Sequence, residues 1–139
     1  MDIWLSPAVG FDYPNAKATI YGEGKKQVSW IAIKDVASVA VASLDNPAAK
    51  NKIIELGGPD ALSPLEVVNI FETNQGKKFE LQFVPEDTLK AQKEGAQDSL
   101  SESFAALMLG VASGSKIDME KTLSIFPMHL TSVSDYAKR

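Results

Sequence analysis

At 139 residues, 45% hydrophobic and 23% charged, the chain has the length and composition of one soluble globular domain, and such a domain buries roughly 65–70% of the surface its unfolded chain exposes. The absence of cysteine excludes disulfides, thiolate catalysis and cysteine-ligated zinc, and a single histidine, His129, excludes a multi-histidine metal centre. A net charge of −4, with adjacent lysines only at Lys25-Lys26 and Lys77-Lys78, argues against nucleic-acid binding, which needs a concentrated basic surface.

The first residues, MDIWLSPAVG, carry an acid and no basic stretch, so they do not read as a signal peptide. Apolar runs throughout fall short of the ~20 residues that span a bilayer, and the expected compartment is the cytoplasm. Residues 1–15 hold Pro7, Gly10 and Pro14 and read as irregular or briefly extended. KATIY, residues 17–21, alternates and is β-prone. Residues 22–26 form a glycine turn, and QVSWIAI, residues 27–33, is a second β-prone run. The two runs predict a hairpin around the turn. Asp35 then offers a cap or first-turn carboxylate for a helix that stops near Leu44, ahead of Asn46-Pro47.

KIIEL, residues 52–56, reads as a short strand closed by Gly57-Gly58-Pro59. Ser63-Pro64-Leu65-Glu66 is the clearest local signal. Ser63 can accept from the N–H of Glu66, Glu66 can reach back to Ser63, and Pro64 loses no helical bond in the first turn. That helix ends at Gly76. FELQFV, residues 79–84, alternates strictly, with Phe79, Leu81 and Phe83 on one face. Helices follow: a polar one over 86–94 anchored by Leu89, and an apolar one over 99–112 through Leu100, Phe104, Leu107, Met108 and Val111. A short one after Asp118 is broken by Pro127, and a last one runs over 132–138. Mixed elements followed by helices alone predict an α/β to α+β fold: one domain over 1–139, a small mixed sheet with helices packed on it, and a helical C-terminal part.

The glycines bear on nucleotide binding. A dinucleotide fingerprint needs G-x-G-x-x-G between a strand and a helix, so that a helix N-terminus meets the pyrophosphate. Here Gly22 and Gly24 are followed by Gln27 and by a predicted strand, so the segment reads as a turn. Gly57-Gly58-Pro59 lacks a donor at Pro59 and stands five residues from the next helix. No G-x-x-x-x-G-K-[ST] string and no G-x-S-x-G elbow occur. Tyr21 and Lys25 have the spacing of a reductase pair, but a turn between them removes the shared helix face that such a pair needs. His129 reads as a loop histidine. No catalytic, cofactor-binding or metal-binding residue is assigned on these grounds. Trp4, Phe11, Tyr13, Tyr21 and Trp30 crowd the first thirty residues and read as core or as the wall of a small-molecule pocket.

YGEGKKQVSWIAIKDVASVAVASLDNP, KIIELGGPDALSPLEVVNIFE, GKKFELQFVPE and FPMHLTSVSDYAKR, in that order, resemble the C-terminal half of the NmrA-like, atypical short-chain dehydrogenase/reductase family. The resemblance runs from about residue 4, and the "SWI…DVA" and "ELGGP…LSPLEVV" passages are its most specific parts. Family members bind NAD(P) through an N-terminal Rossmann half with a glycine-rich loop. The resemblance implies only the second half here, the substrate-domain half, so no cofactor residue is carried over. It implies that Trp30, Ile31 and Asp35 lie near a substrate cleft and that Trp4, Pro7 and Phe11 edge it. The expectation is a small-molecule-binding module without its own dinucleotide site. The alternatives are a subunit or piece of an NAD(P)-dependent oxidoreductase, and an oligomeric protein-interaction module. Apolar faces that a Rossmann half would cover predict a homo-oligomer.

Overall fold

The computed structural model describes residues 1–138, leaving Arg139, the last residue of the expected domain, outside the described residues. It is a mixed α/β arrangement of five short strands and six helices among those residues.

The strand Lys17–Tyr21 (β2) is the middle of a three-stranded sheet. Phe11–Asp12 (β1) pairs with it antiparallel, Phe11 opposite Ala18. The remaining neighbour is Glu80–Val84, which runs parallel to β2 with Lys17 opposite Glu80 and Tyr21 opposite Val84. The expected hairpin between β2 and residues 27–33 does not form. Gly22 and Gly24 both take positive φ, 70° and 69°, and turn the chain away from β2. A five-residue parallel ladder then occupies the edge of β2 that a hairpin would have used. Of residues 27–33, only Val28–Ser29 (β3) is a strand, paired antiparallel with Ala61–Leu62 (β4); the C-terminal Glu80–Val84 strand is β5.

Residues 52–56 are not a strand either. Ile53 is 94% exposed and no neighbouring strand meets the segment. Strand propensity is realised only against a partner's backbone groups. The helices follow the predictions more closely: Ile33–Leu44 (α1), Pro64–Gln75 (α2), Glu86–Glu94 (α3), Ser99–Ser113 (α4), Glu120–Ile125 (α5) and Val133–Tyr136 (α6).

The cap of α1 comes from elsewhere than expected. Its N-cap position is Ala32, and the Asp2 carboxylate accepts from Ile33 N–H at 2.8 Å. Asp35 sits in the first turn but is buried. It accepts from the Thr131 N–H at 2.7 Å and from the Thr131 hydroxyl at 3.2 Å, joining α1 to the C-terminal segment. The capping box of α2 forms as read: Ser63 Oγ accepts from Glu66 N–H, and the Glu66 carboxylate accepts from Ser63 N–H at 2.7 Å.

The main core lies between the sheet and α2. Ala18 and Ile20 on one face of β2 meet Val67, Val68 and Phe71, all buried. Phe11, Phe71 and Phe79 form an aromatic cluster with centroids 5.0 Å apart for Phe11–Phe71 and 5.6 Å for Phe11–Phe79. Such pairs add about 0.5–1.5 kcal/mol beyond the area they bury. A second cluster of Leu89, Met108 and Ala112 zips α3 to α4. Trp4 touches both clusters. The face of FELQFV expected to be buried is covered only in part: Phe79 is buried, Leu81 half-buried and Phe83 exposed. On α4 the inward residues are Ala105, Met108 and Ala112, while Leu100, Phe104 and Leu107 face solvent.

Candidate ligand cavity

Strand alternation places Thr19 and Tyr21 on the face of β2 opposite Ala18 and Ile20. Across that strand a small apolar cavity of about 40 Å³ lies where the N-terminal segment, β2, the start of α2 and the end of α4 converge. Trp4, Phe11 and Trp30, three of the six residues that the family resemblance put at or near a cleft, line it together. The other three do not reach it. Pro7 is exposed on the 3₁₀ turn Pro7–Val9, Asp35 is held by Thr131, and the Ile31 carbonyl accepts from the backbone nitrogen of Met1.

The rest of the lining escapes sequence reasoning. Val9, Pro64, Val67 and Val111 come from three separate segments, and no local pattern announces their meeting. Tyr21 was legible as one of the crowded aromatics, but its place on the wall depends on which strand β2 pairs with. Tyr13, another of that crowd, joins the core instead, 5.6 Å from Phe71.

Polar groups are few in the lining. Trp30 Nε1 donates to the Leu62 carbonyl at 2.9 Å, which fixes the indole and ties β3 to β4 from the side-chain end. The Tyr21 hydroxyl donates to the Val9 carbonyl at 3.3 Å, and burial pushes its pKa above the usual phenol value. Beside Tyr21 stands Phe104 of α4, edge-on with centroids 6.5 Å apart.

Both glycine strings serve the backbone. The Gly24 carbonyl accepts from Leu65 N–H at 3.1 Å, Glu66 N–H goes to Ser63 Oγ and Val67 N–H to the Ser63 carbonyl. Pro64 has no N–H, so the first amides of α2 are consumed locally. Near the turn two lysines face carboxylates, Lys25 with Glu23 at 3.8 Å and Lys90 with Asp87 at 3.0 Å. Gly58 takes φ +81°, and a Cβ there would stand 1.8 Å from the Trp30 carbonyl oxygen. It is a close-approach glycine beneath the residue that forms the cavity wall.

The fold and the ordered segments have a family. The chain belongs to the NmrA-like family, whose model matches residues 9–137. Among curated relatives it is 28% identical over 135 residues to an isoflavone reductase homolog of Zea mays, covering 91% of this chain and 44% of the relative. It is 30% identical over 128 residues to a bifunctional pinoresinol-lariciresinol reductase of Linum album, covering 87% and 39%. Among solved structures, a leucoanthocyanidin reductase–NADPH complex from Vitis vinifera superposes with a TM-score of 0.75 at 18% identity, over 90% of this chain and 46% of that one. An NADPH-dependent quinone oxidoreductase from Escherichia coli gives 0.71 at 17% identity, over 97% and 49%. The chain thus spans less than half the length of each of these relatives. Among the described residues no helix is long and apolar enough to cross a membrane.

Proposed function

We propose that the chain is a small-molecule-binding module, the counterpart of the substrate-holding half of an NAD(P)-dependent NmrA-like reductase, without a dinucleotide site of its own. The observation that carries this reading is the cavity: both tryptophans of the chain and Phe11 and Tyr21 converge on one apolar hollow. Pockets for small organic ligands have this character, apolar and aromatic with few polar groups that set orientation. The relatives described above are named for isoflavone, pinoresinol, leucoanthocyanidin and quinone chemistry. Ring-bearing, oxygenated compounds are the ligand class assigned here. Support for the missing dinucleotide site comes from α2, whose first amides are spent on Ser63 and Gly24 rather than left for a phosphate.

A second reading has its own support. The reductase relatives are more than twice as long, and α1 exposes Ile33, Val41 and Leu44. On this reading the chain works within an NAD(P)-dependent oxidoreductase whose cofactor-binding part is supplied by other residues. Calorimetry tests the missing dinucleotide site that both readings assume, and ligand binding by the chain alone separates them. Titrating the chain with NADPH and NADH is expected to give no micromolar binding, while isoflavone quenches the fluorescence of Trp4 and Trp30 saturably. Micromolar NADPH binding to the chain alone would overturn the proposal. Ligand binding that appears only after a cofactor-binding protein is added would favour the second reading.

A further inference from the structure

A cavity of about 40 Å³ is far smaller than the ~300–1,000 Å³ of ordinary ligand sites. It can take one end of a flat ligand, so the bulk must lie outside it. The surface next to the cavity says where. Val111 lines the hollow from α4, and Leu107 and Phe104 precede it on the same helix face by four and seven residues. Phe104 is 42% exposed and Leu107 53% exposed, and the ring of Tyr21 stands between Phe104 and the cavity. An apolar strip therefore continues from the cavity wall along α4.

Tyr21 is placed to read a polar atom at the junction. The Trp30 N–H is committed to Leu62 at 2.9 Å. The Thr19 side chain lies under Gly10, close enough that a Cβ on Gly10 would stand 2.6 Å from its hydroxyl. The Tyr21 hydroxyl makes only a long bond, 3.3 Å to the Val9 carbonyl, against about 2.7–2.8 Å for a usual O–H···O bond. Val9 lines the cavity from the 3₁₀ turn and is half-buried. A phenol is protonated and a donor at neutral pH, and burial raises this one's pKa further.

Resting on the ligand-binding reading above, we infer that Tyr21 is the orienting residue of the site. Its hydroxyl transfers its hydrogen bond from Val9 to an oxygen acceptor at one end of an aromatic ligand, whose rings then lie along Phe104 and Leu107.

Two probes of similar size test this on the full chain: 2-acetylnaphthalene, which carries a carbonyl acceptor, and 2-ethylnaphthalene, which lacks that oxygen. Binding is followed by tryptophan fluorescence and equilibrium dialysis. The wild type is expected to favour the acetyl probe about fivefold, the worth of one neutral hydrogen bond. Y21F is expected to abolish that preference while leaving the ethyl probe unchanged, and F104A to weaken both probes alike. A preference that survives in Y21F overturns the inference. So does equal tightening of both probes in Y21F, which would make the Val9 bond a mere latch. The carbonyl stretch of the acetyl probe bound to wild-type protein gives a reading independent of any variant. A shift to lower wavenumber supports the inference, and an unshifted band overturns it. Binding of neither probe fails differently, because it removes the ligand-binding reading itself and this inference with it.

Discussion

Gly58 and Asp35 show how much single residues carry here. With φ +81° and the Trp30 carbonyl oxygen 1.8 Å from where a Cβ would stand, Gly58 admits no other side chain without moving backbone. Gly58→Ala is expected to destabilise by at least about 3 kcal/mol, read as a lower urea midpoint, and to redshift the emission of Trp30 as its wall opens. Asp35 is buried and accepts both the N–H and the hydroxyl of Thr131. Asp35→Asn replaces one acceptor oxygen by a donor and leaves a Thr131 donor without its partner. A loss of about 1–3 kcal/mol is expected in the same titration. Helix capping by Asp35 was one of two roles legible in its position. Its bond to a residue 96 positions away was not, because nothing local in either segment encodes the other.

Among the elements, helices were readable and strand partners were not. Each helical signal is local: Ser63, Pro64 and Glu66 lie within one turn of α2, and Leu89 alone anchors the polar α3. The pairing of β2 with β5 joins residues about 60 apart, and KATIY looks equally ready to pair with its nearer neighbour. The same limit governs the cavity, whose aromatic walls were visible in composition while Val9 and Val111 were brought in by tertiary packing. The α2 cap makes a pH prediction. Hydrogen bonds from the backbone and side chain of Ser63 hold the Glu66 carboxyl below its ordinary range, and those from Lys78 and Phe79 do the same for Glu72. A depressed folded pKa stabilises above the unfolded value and loses that contribution as pH falls through the folded one. Stability should therefore decline as pH drops below the normal glutamate range, about 4.3. Ser63→Ala is expected to lose about 1 kcal/mol near neutrality and to flatten the Glu66 part of that decline, measured by urea unfolding across pH 2–6.

On the scale of the whole molecule, the apolar surface is uneven. α1 buries only Asp35 and Val39 and exposes Ile33, Val41 and Leu44, the last at 81%. Contiguous exposed apolar residues of this kind drive association. The chain in isolation is expected to self-associate with rising concentration, and a V41E/L44E variant to remain monomeric in multi-angle light scattering. A wild-type chain that stays monomeric at millimolar concentration would refute the expectation of a homo-oligomer. The tie from Asp35 to Thr131 also bears on biosynthesis. The carboxylate waits for a partner 96 residues further along the chain, and long-range closures of this sort slow folding. Until residue 131 emerges, Asp35 lacks both of its donors and α1 is without this tie. While those 96 residues are being made, the nascent chain presents that greasy helix to chaperones.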